Sequence, residues 1–122
     1  MNIKSIARFC SLAVIVFIVI TGLGPAQWQP RTSLGWELDH VVGYFVITLL
    51  VCFAWPRPLV VGPVLMVFAI ALEALQSLTP DRSPNLWAAL YGAAGVLVAA
   101  CLVEIGIRAK RRWDNRPVAV DG

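Results

Sequence analysis

Asp39, His40 and Tyr44, then Glu73 and Gln76, then Asp81, Arg82 and Asn85, are the side chains of this 122-residue chain whose types and spacing could do chemistry. His40 and Tyr44 stand four apart and Glu73 and Gln76 three apart, so on helices each pair projects from one face. One use of such a set is binding. The Arg82 fork would receive a phosphate or carboxylate, because guanidinium donates two parallel bonds. His40 and Tyr44 would supply hydrogen bonds, and Glu73 with Gln76 would shape the floor. A second use is catalysis, with Glu73 as general acid or base and Arg82 as charge stabiliser. No nucleophile with an adjacent base is visible, which disfavours a covalent mechanism and leans the reading away from an enzyme. Asp39, His40 and Glu73 could ligate a metal, but one histidine with no cysteine nearby is a poor donor set. Neither metal nor cofactor is expected. The bland alternative is that a Glu–Arg–Gln cluster simply pins helices together.

The elements that must position these residues follow from composition. Hydrophobic residues make up 59 % of the chain and charged residues 14 %, and mean hydropathy is +0.77. Soluble domains carry about 25 % charged residues, so this chain lacks the polar surface to cover a water-exposed globule. A nucleic-acid-binding domain and a disordered segment are both disfavoured. Four apolar stretches, about 6–23, 38–55, 59–78 and 86–107, have the roughly 20 residues that a spanning helix needs. In lipid every backbone N–H and C=O must be satisfied within the segment, so these are read as helices. Gly24-Pro25, Pro56-Arg57-Pro58 and the stretch from Pro80 to Asn85 separate them, since proline lacks an N–H and restricts its predecessor. Pro63 is placed in the first turn or so of the third helix, where its cost is small. The expected fold is all-α, a single-domain integral membrane four-helix bundle, with residues 108–122 as a basic tail.

Lys4, Arg8, Arg57, Arg108, Lys110, Arg111, Arg112 and Arg116 fall on one side of such a bundle, and only Arg31 and Arg82 on the other. The positive-inside rule makes the first side cytoplasmic, with both termini. Trp28, Trp36 and Trp87 would mark the outer interface, Trp55 and Trp113 the inner one. A rival for the first 26 residues is a cleaved signal peptide, given the basic start and Gly-x-Ala ending. Cleavage would leave three spans in the same orientation. The basic tail is read first as a topology determinant and second as a lipid or partner site. Cys10, Cys52 and Cys101 form no CxxC pair and behave as small hydrophobes. Ala88, Gly92, Gly95 and Ala99 recur at helical spacing and mark a close-packing face, used within the chain rather than as a dimer seam, although an oligomer stays open.

On this topology the polar set converges on the outer third of the bilayer. Glu73 is seven residues before Pro80, roughly 10 Å along a helix. An ionised group at membrane depth costs about 2.5–3.5 kcal/mol even on the lenient scale, so Glu73 must be neutral, reached by water, or paired. Arg82 and His40 are the expected partners. The inner half offers Glu104, whose natural partner is Arg108 four residues on.

The order His40-x-x-x-Tyr44, Glu73-x-x-Gln76, Pro80-Asp81-Arg82 and Gly95 resembles the VanZ-like family of bacterial membrane proteins, over about half the chain, Trp36 to Gly95. The resemblance departs at Trp36, where the family usually has an acidic residue four before the histidine. It departs also at Asn85 and Ala88, in acidic positions, and at Gly92, in place of asparagine. What the resemblance implies is a multi-pass protein of the cell membrane linked to reduced susceptibility to teicoplanin-type glycopeptides. Its partners would be membrane lipids and a lipid-linked cell-wall precursor or lipoglycopeptide. A small enzyme on a lipid-linked substrate and a structural subunit of a membrane complex remain alternatives.

Overall fold

The computed structural model describes residues 2–24, 33–76, 78 and 86–118. Every regular element among them is a helix: α1 (Ile3–Leu23), α2 (Trp36–Ala54), α3 (Pro58–Gln76) and α4 (Leu86–Asp114). Each is long and apolar enough to cross a membrane. Their ends follow local chemistry. The Asn2 side chain accepts from the Ser5 N–H at 2.8 Å and caps α1, as Asn does where the first N–H groups lack helical partners. The Gly24 N–H closes α1 onto Ile20 O at 2.9 Å. Gly35, at φ +100°, turns the chain into α2; a side chain there would be strained. Between α2 and α3 the Trp55 N–H bonds Val51 O and the Arg57 carbonyl accepts from Val60 and Val61. Pro58 then takes the first helical position, where its missing N–H has no cost.

Two boundaries differ from the sequence reading for physical reasons. Pro63 lies inside α3, in its second turn rather than its first, so residue 63 donates nothing to the carbonyl of Leu59. α4 runs seven residues past the expected span end, to Asp114. Its 29 residues reach about 43 Å at 1.5 Å each, beyond a hydrocarbon core of about 30 Å. The start of the basic tail is therefore a helical extension. Arg108 Nε bonds Glu104 Oε1 at 2.8 Å along it, the expected i,i+4 pair.

Packing is organised around α2 and α4. α4 lies against α2 and α3, and α1 against α2 and, less, α3; α1 and α4 share no contact among the described residues. The core joins Ile47, Val51 and Cys52 of α2 to Val61 and Leu65 of α3 and Val96 of α4. On α4 the small residues Ala88, Ala89, Gly92, Ala93, Gly95, Ala99 and Ala100 are all buried, so the expected stripe is spent within the chain. A Cβ at Gly95 would sit 2.3 Å from the Val41 carbonyl oxygen, and one at Gly62 3.1 Å from Ala100 Cβ. The outer faces carry Phe9, Leu12, Val16, Phe17, Val46, Phe53, Val64, Val67, Leu97 and Leu102, all exposed. Apolar faces so extensive are foreign to soluble monomers and suited to hydrocarbon. There helices adhere by close van der Waals approach of small residues rather than by exclusion of water.

Candidate polar site at one end of the bundle

The up-and-down order of the helices brings the end of α1, the start of α2, the end of α3 and the start of α4 together. Contacts between them confirm the placement. Gly22 of α1 meets Leu72 and Gln76 of α3, and Trp36 of α2 meets Tyr91 of α4.

α2 opens with Glu37 and Asp39 in its first turn, where negative charge suits the positive end of the helix dipole. Asp39 is half-buried. One residue on, His40 Nδ1 lies 2.9 Å from the Trp36 carbonyl. A carbonyl only accepts, so Nδ1 carries the proton, and Nε2 is the nitrogen left to face other partners. The His40 ring also stands edge-on to Trp36, centroids 6.1 Å apart. Trp36 stands edge-on to Tyr91 at 5.6 Å. Edge-to-face pairs at these distances are favourable, and this one ties the start of α2 to α4.

Tyr44, one turn further in, lies against Gly92 of α4: a Cβ there would be 3.0 Å from Tyr44 Cδ2 and Cε2 and 3.4 Å from Ala69 Cβ of α3. Absence of a side chain at Gly92 is thus what lets the Tyr44 ring reach across α4 toward α3. Ala69 is one turn before Glu73 on the same helix. Glu73 is half-buried and Gln76 buried. The two share a helix face but serve different neighbours. Glu73 lies on the Tyr44 side, while Gln76 Nε2 comes within 3.4 Å of the Cβ position of Gly22 on α1. Below Tyr44, the fully buried Thr48 hydroxyl donates to the Tyr44 carbonyl at 2.6 Å, satisfying itself within its own helix.

The structure therefore brings Asp39, His40, Tyr44, Glu73 and Gln76 to one end of the bundle. Asp81, Arg82 and Asn85 lie outside the described residues. Among the described residues no three His, Cys, Asp or Glu side chains come together as a metal site. Sequence reasoning missed Tyr91. Its signal was present: a phenol one residue before Gly92, inside the small-residue stretch that packs α4 on α2. Chemically, the end offers a phenol beside a carboxylate, an imidazole and a primary amide, within helices whose outer faces are hydrocarbon-like. Such a set can hydrogen-bond a polar headgroup while the surroundings accept its tail. Comparison of the chain with protein-family models, curated proteins and solved structures finds no match.

Proposed function

We propose that the chain is a VanZ-like integral membrane protein of the bacterial envelope, with both termini cytoplasmic. Its polar end would lie in the outer leaflet and bind an amphiphile or a lipid-linked cell-wall precursor, lowering susceptibility to teicoplanin-type glycopeptides. The observation that carries this reading is geometric: Gly92 lets the Tyr44 ring of α2 reach toward the face of α3 on which Ala69 and, one turn on, Glu73 stand, at the end that also holds His40 and Gln76. Intramembrane ionisable residues default to a functional role because their retention is costly. Tyr44 and Glu73 both belong to the motifs on which the resemblance rests. Trp36, where the family's acidic residue is missing, here meets His40 with its carbonyl and its ring, so an aromatic contact positions the imidazole. In this assignment His40 Nε2 and the Tyr44 hydroxyl hydrogen-bond the headgroup, Asp39 adds a carboxylate at the start of α2, and the sequence between α3 and α4 supplies Arg82 for the anionic part together with Asp81 and Asn85. The orientation is supported by eight basic residues at the opposite end.

The test is susceptibility of a Gram-positive host to teicoplanin and vancomycin, comparing empty vector, wild type, Glu73→Gln and Arg82→Ala at matched membrane expression. Teicoplanin-selective protection that both variants lose is the expected result. Full protection in both variants removes the polar end from the function, and no protection by wild type sinks the family reading. Reporter fusions at each terminus check the orientation.

A further inference from the structure

The opposite end of the bundle has a chemistry of its own. α1 and α4 both pack on α2 without touching each other, so a strip of α2 between them stays uncovered. At this end the strip forms a groove of about 310 Å³, lined by Lys4, Leu49, Cys52, Phe53, Pro56, Val103 and Ile107. Leu49, Cys52 and Phe53 share one face of α2 at i, i+3 and i+4, and Val103 and Ile107 share one face of α4. The walls are hydrocarbon, and among the described residues Lys4 is the one charge on them. Its Nζ donates to the Phe53 carbonyl at 2.5 Å and lies 4.8 Å from the Phe53 ring centroid. α2 has no basic residue in its last turn, and Lys4 brings a cation to the negative end of that helix. An ammonium has three donors, and the carbonyl takes one.

The surroundings add positive charge. Arg8 lies over the Trp55 ring at 5.6 Å, and Lys110, Arg111 and Arg112 are exposed on the α4 extension. Glu104 is engaged by Arg108, and no carboxylate lines the groove.

We propose that this groove is a binding site for an anionic phospholipid of the adjacent leaflet, one acyl chain lying along Leu49, Phe53 and Ile107 and the phosphate meeting Lys4. Charge complementarity selects the occupant. A zwitterionic lipid would fill the walls equally but bring a quaternary ammonium toward Lys4 and the arginines. The site is independent of whatever the polar end binds.

The test uses the full chain in mild detergent with equimolar phosphatidylglycerol and phosphatidylcholine of matched chains, counting retained lipid by native mass spectrometry. Phosphatidylglycerol should be retained preferentially. Lys4→Gln should reduce that preference about fivefold, the worth of one cation near an anionic headgroup, and Lys4→Arg should keep it. Ile107→Trp, which fills the groove, should lower retention of both lipids, while Arg112→Gln, on the far side of α4 from Val103 and Ile107, should leave the preference within about twofold. Equal retention of the two lipids by wild type overturns the proposal. So does a loss in Arg112→Gln as large as in Lys4→Gln, which would mark a diffuse basic surface. Should Lys4→Gln lose helicity through loss of its bond to α2, Ile107→Trp decides: unchanged phosphatidylglycerol retention in that variant rejects the groove.

Discussion

α2 is held on its two flanks by different means. On the α4 flank, backbone meets backbone: Gly95 leaves room for the Val41 carbonyl and Gly92 for the Tyr44 ring, and Val96 and Ala99 are fully buried. On the other side of α2, α1 buries three residues, Ala7, Ser11 and Gly22, the last of them against Leu72 and Gln76 of α3. Val14, Ile15 and Ile18 are only partly so, while Phe9, Leu12, Val16, Phe17 and Ile20 face outward. In lipid, burying an apolar side chain against another helix gains little over burying it against acyl chains, so adhesion follows closeness of approach. α4 therefore carries the fold, and α1 is the looser partner. The two proposed sites divide accordingly. Tyr44 is positioned at the tight seam, whereas the groove exists because α1 does not close onto α4.

Gly95→Ala should break the tight seam most. The new Cβ would stand 2.3 Å from a backbone oxygen, where a carbon–oxygen contact needs about 3.3 Å, so α2 and α4 must part by about 1 Å. Overpacking costs about 1–3 kcal/mol or more, against about 0.5–1 kcal/mol gained by replacing a helical glycine. A net loss of about 2 kcal/mol in an SDS unfolding titration followed by far-UV circular dichroism is expected. The control is Gly43→Ala, where nothing lies within 4 Å of the new Cβ, and which should be neutral or stabilising by up to about 1 kcal/mol. Equal midpoints for the two variants would mean that α2 and α4 are not in backbone contact.

A smaller effect is expected from Gly92→Ala, because what the new methyl meets at 3.0 Å is a side-chain ring rather than backbone. The ring can tilt by a few tenths of an ångström, and the cost should be about 1 kcal/mol. The informative measurement is the double-mutant cycle with Tyr44→Leu. If the ring is the obstacle, removing it should abolish the penalty and give a coupling of about 0.5–1 kcal/mol. Additive effects would place Tyr44 elsewhere and separate it from the α3 face that carries Glu73.

The asymmetry was partly legible in the sequence. Four helices could be read because lipid imposes a length and forbids unsatisfied backbone, so apolar runs broken by proline leave few alternatives. The stripe at Ala88, Gly92, Gly95 and Ala99 disclosed α4 as the close-packing helix, since only small residues at that period let backbones meet. The approach of the Tyr44 ring to the α3 face that carries Ala69 and Glu73 was not legible. It depends on how α2 and α3 rotate about α4, and periodicity fixes a face without fixing which neighbour that face meets. The same freedom separates Gln76, turned to α1, from Glu73, although both share a face. The helical extension to Asp114 was overlooked because charge suggested a tail, yet Arg, Lys and Ala are strong helix formers and Glu104 pairs with Arg108. Arg82, the expected partner of Glu73, lies outside the described residues.

The loose seam gives the smallest and sharpest test. Ser11 is fully buried in α1, and its hydroxyl has no hydrogen-bond partner among the described residues. In a soluble core such a group costs about 1–3 kcal/mol. In a membrane the separated helix also lies in hydrocarbon and finds compensations of its own, and measured interhelical polar terms average about 0.6 kcal/mol. Ser11→Ala should therefore raise stability by no more than about 0.6 kcal/mol, in the same titration, with no change in the Gly95→Ala penalty because the two seams lie on opposite flanks of α2. A loss of stability would show the hydroxyl bonded across the seam. α1 would then be held by a polar tie as well as by contact, and the contrast between the two flanks of α2 would shrink to a difference in how each is fastened.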